Sequence, residues 1–204
     1  MAIVNQATRE LQIKIVYCGP AMSGKTTNIE LLHDKLETEA GGKGKLISLA
    51  TSSDRTLFFD FLPIEAASFK GFKTRFQLYA VPGQVTYNTT RQLVLRGVDG
   101  VVFVADSQHE RMAENVESFQ NLIENLQSLM LNINDIPYVL QYNKRDLANV
   151  VPLEQLENLL NNRNLKVPSF LGTAINGEGV LEALNHLKFM LFQKFANRLT
   201  GGDV

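Results

Sequence analysis

Residues 19–26 are the first segment of the chain whose residue types and spacing could do chemistry, and they read GPAMSGKT. They fit the pattern G-x-x-x-x-G-K-[ST], whose glycines bend the backbone so that successive N–H groups surround phosphate oxygens. Lys25 would contact the β- and γ-phosphates, and the Thr26 hydroxyl would bind Mg²⁺. The segment predicts a nucleoside-triphosphate site with these residues: Gly19, Ala21, Met22, Ser23, Gly24, Lys25, Thr26 and Thr27.

A second motif, NKRD at residues 143–146, would select the base. An ionised Asp146 would accept two hydrogen bonds from guanine, whereas adenine lacks the matching donors and would leave a buried charge unpaired. Asn143 could connect this loop to the phosphate loop, and Lys144 could lie along the base or ribose. Alone, NKRD is typical of a polar turn, but after a phosphate loop and at the end of a predicted strand it indicates guanine recognition. The dipeptide Thr173–Ala174, a weak signal alone, would offer a backbone N–H to guanine O6.

The elements that must position these motifs alternate between strands and helices, which predicts an α/β fold. We expect a mostly parallel sheet with helices on both faces and one antiparallel hairpin that turns near Lys70 and Gly71. Ligands of such sheets bind at the carboxyl ends of the strands, where both motifs lie. Ile3 and Val4 could form a short first strand. The predicted strands are 11–18, 45–50, 64–69, 72–81, 101–105, 138–142 and 170–173, and the helices are 26–39, 113–131, 153–160 and 180–199.

Two stretches, 51–63 and 82–97, show no clear period. The helix 113–131 has one apolar face, made of Val116, Phe119, Leu122, Ile123, Leu126 and Met130.

Composition excludes several classes of protein. The 204 residues include 20 Lys and Arg against 21 Asp and Glu, which argues against a nucleic-acid binder with a basic surface. The single cysteine, Cys18, excludes an intramolecular disulfide and is expected to be a small buried apolar residue. No secretory signal, bilayer-spanning run or lipidation motif is visible. We therefore expect a cytoplasmic protein with one domain over residues 1–204 and no lipid anchor.

Longer segments resemble a known family. They are GPAMSGKTTN, SLATSSDRTLFFDFLP, GFKTRFQLYAVPGQVTYN, LRGVDGVVFVADS and YNKRDL. In these segments, spread from about residue 10 to 185, the chain resembles the bacterial MglA proteins, which are small Ras-like GTPases that set cell polarity and motility. The resemblance implies a Ras-like fold that binds GTP, GDP and Mg²⁺, hydrolyses GTP and switches between two states.

The resemblance also implies roles for residues and partners. Thr56 would bind Mg²⁺ from switch I, and Gly83 of switch II would contact the γ-phosphate. Gln84 would orient the attacking water, and Arg55 would act as an arginine finger within the long aperiodic segment. The expected partners are effectors and a roadblock-type, MglB-like GTPase-activating protein. The protein alone would be a monomer that can be recruited to a cell pole.

Two departures from the Ras-like pattern leave alternatives open. Ala21 replaces a glycine beside Gln84 and predicts slow hydrolysis, and Ala80 replaces an aspartate that would hold an Mg²⁺-bound water. Asp60 could compensate, or could be an ordinary surface carboxylate. The departures motivate a second hypothesis, a GTP-binding scaffold with negligible hydrolysis. A third, a P-loop kinase for a small metabolite, is disfavoured by NKRD and by the absence of an evident lid.

Overall fold

The fold is described here from a computed structural model, which covers residues 2–40, 46–50, 56–83, 88–163 and 166–200. Its strands are β1 (Ile3–Asn5), β2 (Glu10–Cys18), β3 (Ile47–Ala50), β4 (Thr56–Phe69), β5 (Phe72–Ala80), β6 (Gly100–Asp106), β7 (Tyr138–Asn143) and β8 (Ser169–Leu171). Its helices are α1 (Lys25–Ala40), α2 (Asn88–Leu95), α3 (Met112–Ser128), α4 (Leu153–Leu160) and α5 (Val180–Thr200).

The strands form one mixed sheet in the order β3-β4-β5-β2-β6-β7-β8, and β1 pairs with the start of β2. The strands from β5 to β8 in this order are parallel, so their carboxyl ends share one edge. The predicted hairpin is β4–β5, with Phe69 opposite Phe72. β1 and β3 are also antiparallel to their neighbours. The predicted α/β sheet is confirmed, and its parallel centre brings the ends of β2, β6 and β7 together.

Two apolar clusters cover the two faces of the sheet, as predicted. One contains Ile29 of α1 and Leu187 of α5, and the other contains Leu95 of α2, Leu126 of α3 and Leu156 of α4. The buried strand β6 contributes alternate side chains to both clusters. Because both faces are covered, the loops at the carboxyl edge of the sheet have a rigid base.

The expectation of an aperiodic segment over residues 51–63 is wrong for residues 56–63, which belong to β4. Residues 51–55 lie outside the described part of the chain. Along β4, Asp60, Leu62 and Ile64 are buried, while Phe61 and Pro63 between them are partly exposed. The alternation of apolar and polar residues that indicates a strand is lost here, because Asp60 faces inwards and Phe61 faces outwards.

Helix α2 was not predicted, and part of the expected apolar face of α3 is wrong. The residues of α2 are mostly polar, yet Arg91 is buried together with Val94 and Leu95. In α3, Val116 is 42% exposed, because the neighbouring Asn115 faces inwards and holds the backbone of Asp106. Met130 lies past the end of α3 and is 96% exposed, so helical spacing does not apply to it.

Candidate active site

The loop between β2 and α1 has the sharp bends that the phosphate-binding pattern requires. Gly19 has φ +142°, and a Cβ there would lie 2.1 Å from the carbonyl oxygen of Val104. Gly24 has φ +99°, and a Cβ there would lie 2.2 Å from Nδ2 of Asn143. A side chain at either position would clash, so the two glycines let the loop approach β6 and β7 closely.

Lys25, at the first turn of α1, lies inside this loop. Its Nζ donates to the carbonyl oxygens of Pro20, at 2.6 Å, and Gly19, at 3.1 Å. Burial lowers the pKa of Lys25 to about 8, and the nearby charges of Arg91 and Arg111 act in the same direction. An anion bound in the loop would offset this positive charge and raise the pKa again.

Asn143, at the end of β7, connects three loops, whereas the sequence predicted only its connection to the phosphate loop. Its Nδ2 donates to the carbonyl oxygen of Ser23 at 2.7 Å, and its Oδ1 accepts from the N–H of Ala174 at 2.9 Å. The side chain is 2% exposed, so these bonds form away from water. The phosphate loop, the NKRD loop and the loop after β8 are therefore held in one arrangement by one amide.

The remaining residues of the base-recognition motif lie around Asn143. Lys144 has φ +65° and donates from Nζ to Oδ2 of the buried Asp106 at 2.6 Å. Asp146 is exposed and lies three residues after the end of β7. Thr173 and Ala174 are buried beside this loop. The structure thus brings both predicted motifs and the Thr173–Ala174 dipeptide to one edge of the sheet.

Oxygen donors suitable for Mg²⁺ meet where α1 faces β4. The Thr26 hydroxyl donates to Oδ2 of Asp60 at 2.7 Å, and Asp60 is 1% exposed. A hydroxyl and a carboxylate are the hard oxygen ligands that Mg²⁺ prefers, so the two residues fit this metal. Thr56 is four residues from Asp60 along the extended strand, about 13 Å away at ~3.3 Å per residue. In this arrangement β4 brings Asp60 to Thr26, and Thr56 lies at the start of the same strand.

The two predicted catalytic residues, Arg55 and Gln84, lie outside the described part of the chain. Gly83, which directly precedes Gln84, approaches the phosphate loop closely, because an added Cβ would lie 2.3 Å from the backbone nitrogen of Ala21. Only a glycine fits at this distance, and its role in switch II stays a prediction.

Two residues of the site were missed from the sequence. Asp106 and Arg111 contact each other and the loops around them: Oδ2 of Asp106 is 3.8 Å from Nε of Arg111, and Nη2 of Arg111 donates to the carbonyl oxygen of Ala21 at 2.7 Å. A signal for Asp106 existed, since a carboxylate ends the otherwise apolar strand GVVFVAD at the ligand-binding edge. No local pattern distinguishes Arg111 from a surface arginine.

Comparison with known proteins agrees with this geometry. The model of the ADP-ribosylation factor family matches residues 1–191. The chain belongs to this family. It is 54% identical to the mutual gliding-motility protein MglA of Myxococcus xanthus over 184 residues. These residues are 90% of this chain and 92% of that protein. An uncharacterised protein of Methanocaldococcus jannaschii is 26% identical over 178 residues, which are 86% of this chain and 95% of that protein. The chain is a small GTPase of the MglA type, which binds guanine nucleotides and hydrolyses GTP.

Other expectations concern membranes, metals and Cys18. Among the described helices, none has the length and apolar content needed to cross a bilayer. The described residues contain no cluster of three or more His, Cys, Asp or Glu side chains suited to a metal ion. Cys18 is buried as predicted, and burial raises the pKa of its thiol to about 12. The thiol therefore stays protonated and apolar in character.

Proposed function

We propose that GTP and GDP bind along the carboxyl edge of the sheet, with the phosphates in the 19–26 loop and the guanine between Asp146 and the Thr173–Ala174 backbone. The observation that supports this most directly is Asn143, whose amide holds these three loops together. Thr27 and the backbone N–H groups of residues 21–26 would complete the phosphate contacts.

We further propose that Thr26 and Asp60 hold the Mg²⁺ ion, with Thr56 joining them after a rearrangement of switch I. The ion would neutralise charge on the β- and γ-phosphates. Lys25 would hold the same phosphates, and the N–H of Gly83 would contact the γ-phosphate. The closeness of Gly83 to Ala21 supports this last contact.

In the proposed reaction, Gln84 orients a water that attacks the γ-phosphorus, and the bond to the β-phosphate oxygen breaks to leave GDP and inorganic phosphate. Arg55 would stabilise the charge that spreads over the γ-oxygens when a partner brings it in. The methyl group of Ala21 lies beside this reacting region and is expected to slow the reaction in the absence of an activator.

At the level of the cell, we propose that this GTPase is a switch for polarity and gliding or twitching motility, by analogy with its Myxococcus relative. It would act in the cytoplasm as one domain over residues 1–204, monomeric on its own and recruited to a pole. In the GTP state, switches I and II would bind effectors and a roadblock-type, MglB-like activator.

The guanine assignment is tested by Asp146→Asn. The variant is expected to bind GDP about a hundredfold more weakly, because it loses a charged acceptor for two guanine donors. It should gain affinity for xanthosine diphosphate, whose 2-oxo group accepts from the asparagine amide. Dissociation constants measured with fluorescent nucleotides check both effects.

Asp135→Asn, a change at another exposed aspartate, is the matched control and should leave both affinities unchanged. If Asp146→Asn keeps the preference of the wild type for GDP, Asp146 does not recognise the base.

A further inference from the structure

Met22 has a backbone conformation that its side chain does not favour. Its φ is +61°, in the left-handed region where L-residues are unfavourable and glycine is not. The side chain is 73% exposed, so packing around it does not hold the residue in place. Another contact must stabilise this bend in the middle of the phosphate loop.

Arg111, immediately before α3, supplies such a contact. Its Nη2 donates to the carbonyl oxygen of Ala21 at 2.7 Å, which is the carbonyl of the Ala21–Met22 peptide. Its Nη1 donates to Oε1 of Glu114 at 2.6 Å, and Nη2 also contacts Oε2 of the same carboxylate. The side chain is 24% exposed, and Nε lies 3.8 Å from the buried Asp106. The two carboxylates hold the planar guanidinium, so its donors are already aimed at Ala21.

We infer that Arg111 is a positioning residue of the phosphate loop, which holds the Ala21–Met22 peptide so that the Met22 N–H faces a bound polyphosphate. In a trans peptide the carbonyl and the following N–H point in opposite directions. Holding the Ala21 oxygen on the Arg111 side therefore directs the Met22 N–H to the other side. Donation from a cation also polarises this peptide and strengthens its N–H as a donor. The inference depends on the proposed binding of phosphates by residues 19–26.

Nucleotide release tests this role. In Arg111→Ala, release of a fluorescent GDP analogue in the presence of Mg²⁺ is expected to be about tenfold to a hundredfold faster, which corresponds to a lost hydrogen bond to a charged group. The release rate of Arg111→Lys should lie between those of the wild type and Arg111→Ala. One ammonium can reach Ala21 or Glu114 but lacks the planar fork that holds both.

A second substitution separates positioning from general support of the fold. Met22→Gly removes the left-handed penalty, so in the Arg111→Ala background it should return release to within about threefold of the wild type. Release from Met22→Gly alone gives the effect of the glycine itself, and the rescue is judged against it. If Arg111 only supported the fold, glycine at 22 would not slow release. Arg75→Ala, at an exposed arginine paired with Glu65, is the matched control and should release GDP like the wild type.

The outcomes are distinct. Wild-type release rates in Arg111→Ala, or no rescue by Met22→Gly, would overturn the inference. If Arg111→Ala does not fold, as judged by circular dichroism, the inference is tested by whether Met22→Gly slows GDP release in the Arg111→Lys background. If Lys25→Ala binds GDP as tightly as the wild type, the phosphate site itself is wrongly assigned, which is a failure of the proposed function and not of Arg111 alone.

Discussion

Lys25 is a buried cation whose charge is incompletely balanced in the protein alone. Burial and the charges of Arg91 and Arg111 lower its pKa to about 8, although Asp60 acts in the opposite direction. A bound polyphosphate favours the charged amine and would raise this pKa well above 8. Nucleotide binding above pH 8 should therefore take up a proton.

This linkage predicts that the contribution of Lys25 to GDP affinity is constant well below pH 8, has fallen about twofold at pH 8, and falls further as pH rises, by up to about tenfold per pH unit. Well below pH 8 the free protein already has the charged lysine, so binding does not depend on its titration. Calorimetric titrations between pH 7 and 9 in buffers of different ionisation enthalpy measure both affinity and proton uptake.

Lys25→Arg is the control for this prediction, because arginine keeps its charge over the whole range. The groups of the nucleotide itself titrate equally with both proteins, so the difference between the two proteins reports Lys25 alone. An equally steep fall in both proteins would show that Lys25 does not titrate in this range.

At the scale of elements, β4 decides which residue meets Thr26. Its pairing with β5, in which Asp60 is opposite Ala80, puts the carboxylate of Asp60 against Thr26 of α1. Ala80 occupies the position where the Ras-like pattern has an aspartate. In the proposed metal site, a carboxylate from the neighbouring strand would therefore take the place of the one missing from β5.

Asp60→Ala is expected to weaken the dependence of nucleotide release on Mg²⁺. In the wild type, removing Mg²⁺ with EDTA should accelerate GDP release strongly. In the variant the acceleration should be about tenfold smaller, since loss of a supporting carboxylate commonly costs 10–100-fold in metal affinity. Stopped-flow measurements of a fluorescent GDP analogue provide the rates.

Glu65→Ala, at an exposed glutamate of the same strand, should respond to EDTA as the wild type does. An unchanged EDTA response in Asp60→Ala would remove Asp60 from the metal site.

At the scale of the whole molecule, the site depends on a sheet that is covered on both faces. Leu187 of α5 is fully buried, and a Cβ added to Gly100 of β6 would lie 3.2 Å from its Cδ1. Phe189, two residues later on the same helix, is 56% exposed. The two side chains therefore distinguish the core-facing and outward sides of α5.

Leu187→Ala is expected to lower the free energy of unfolding by ~2–5 kcal/mol, because it removes buried contacts and leaves a cavity. Phe189→Ala, the paired control, should change it by less than about 1 kcal/mol. Urea unfolding with GDP at a fixed concentration measures both. Equal losses would contradict the assigned packing of α5.

Much of the architecture was predictable because it depends on local patterns. The apolar run of β6 and the glycine-bounded phosphate loop were both recognisable from neighbouring residues. Leu184, Leu187, Leu191 and Phe195 recur at helical spacing along α5 and are buried. Prediction failed where a polar residue is buried: Asp60 hid the period of β4, Arg91 hid α2, and Asn115 faces inwards in α3 while Val116 is exposed.

The sequence by itself determined the order of strands and helices and the two motifs at their ends, because backbone propensity, side-chain period and turn chemistry act between residues close in the chain. Tertiary structure alone decided that Asn143 joins three loops, that Asp60 meets Thr26, and that Arg111 holds Ala21. These bonds join residues that are far apart in the chain. Such partners meet only after the sheet has formed, because its strand order and register decide which loops become neighbours.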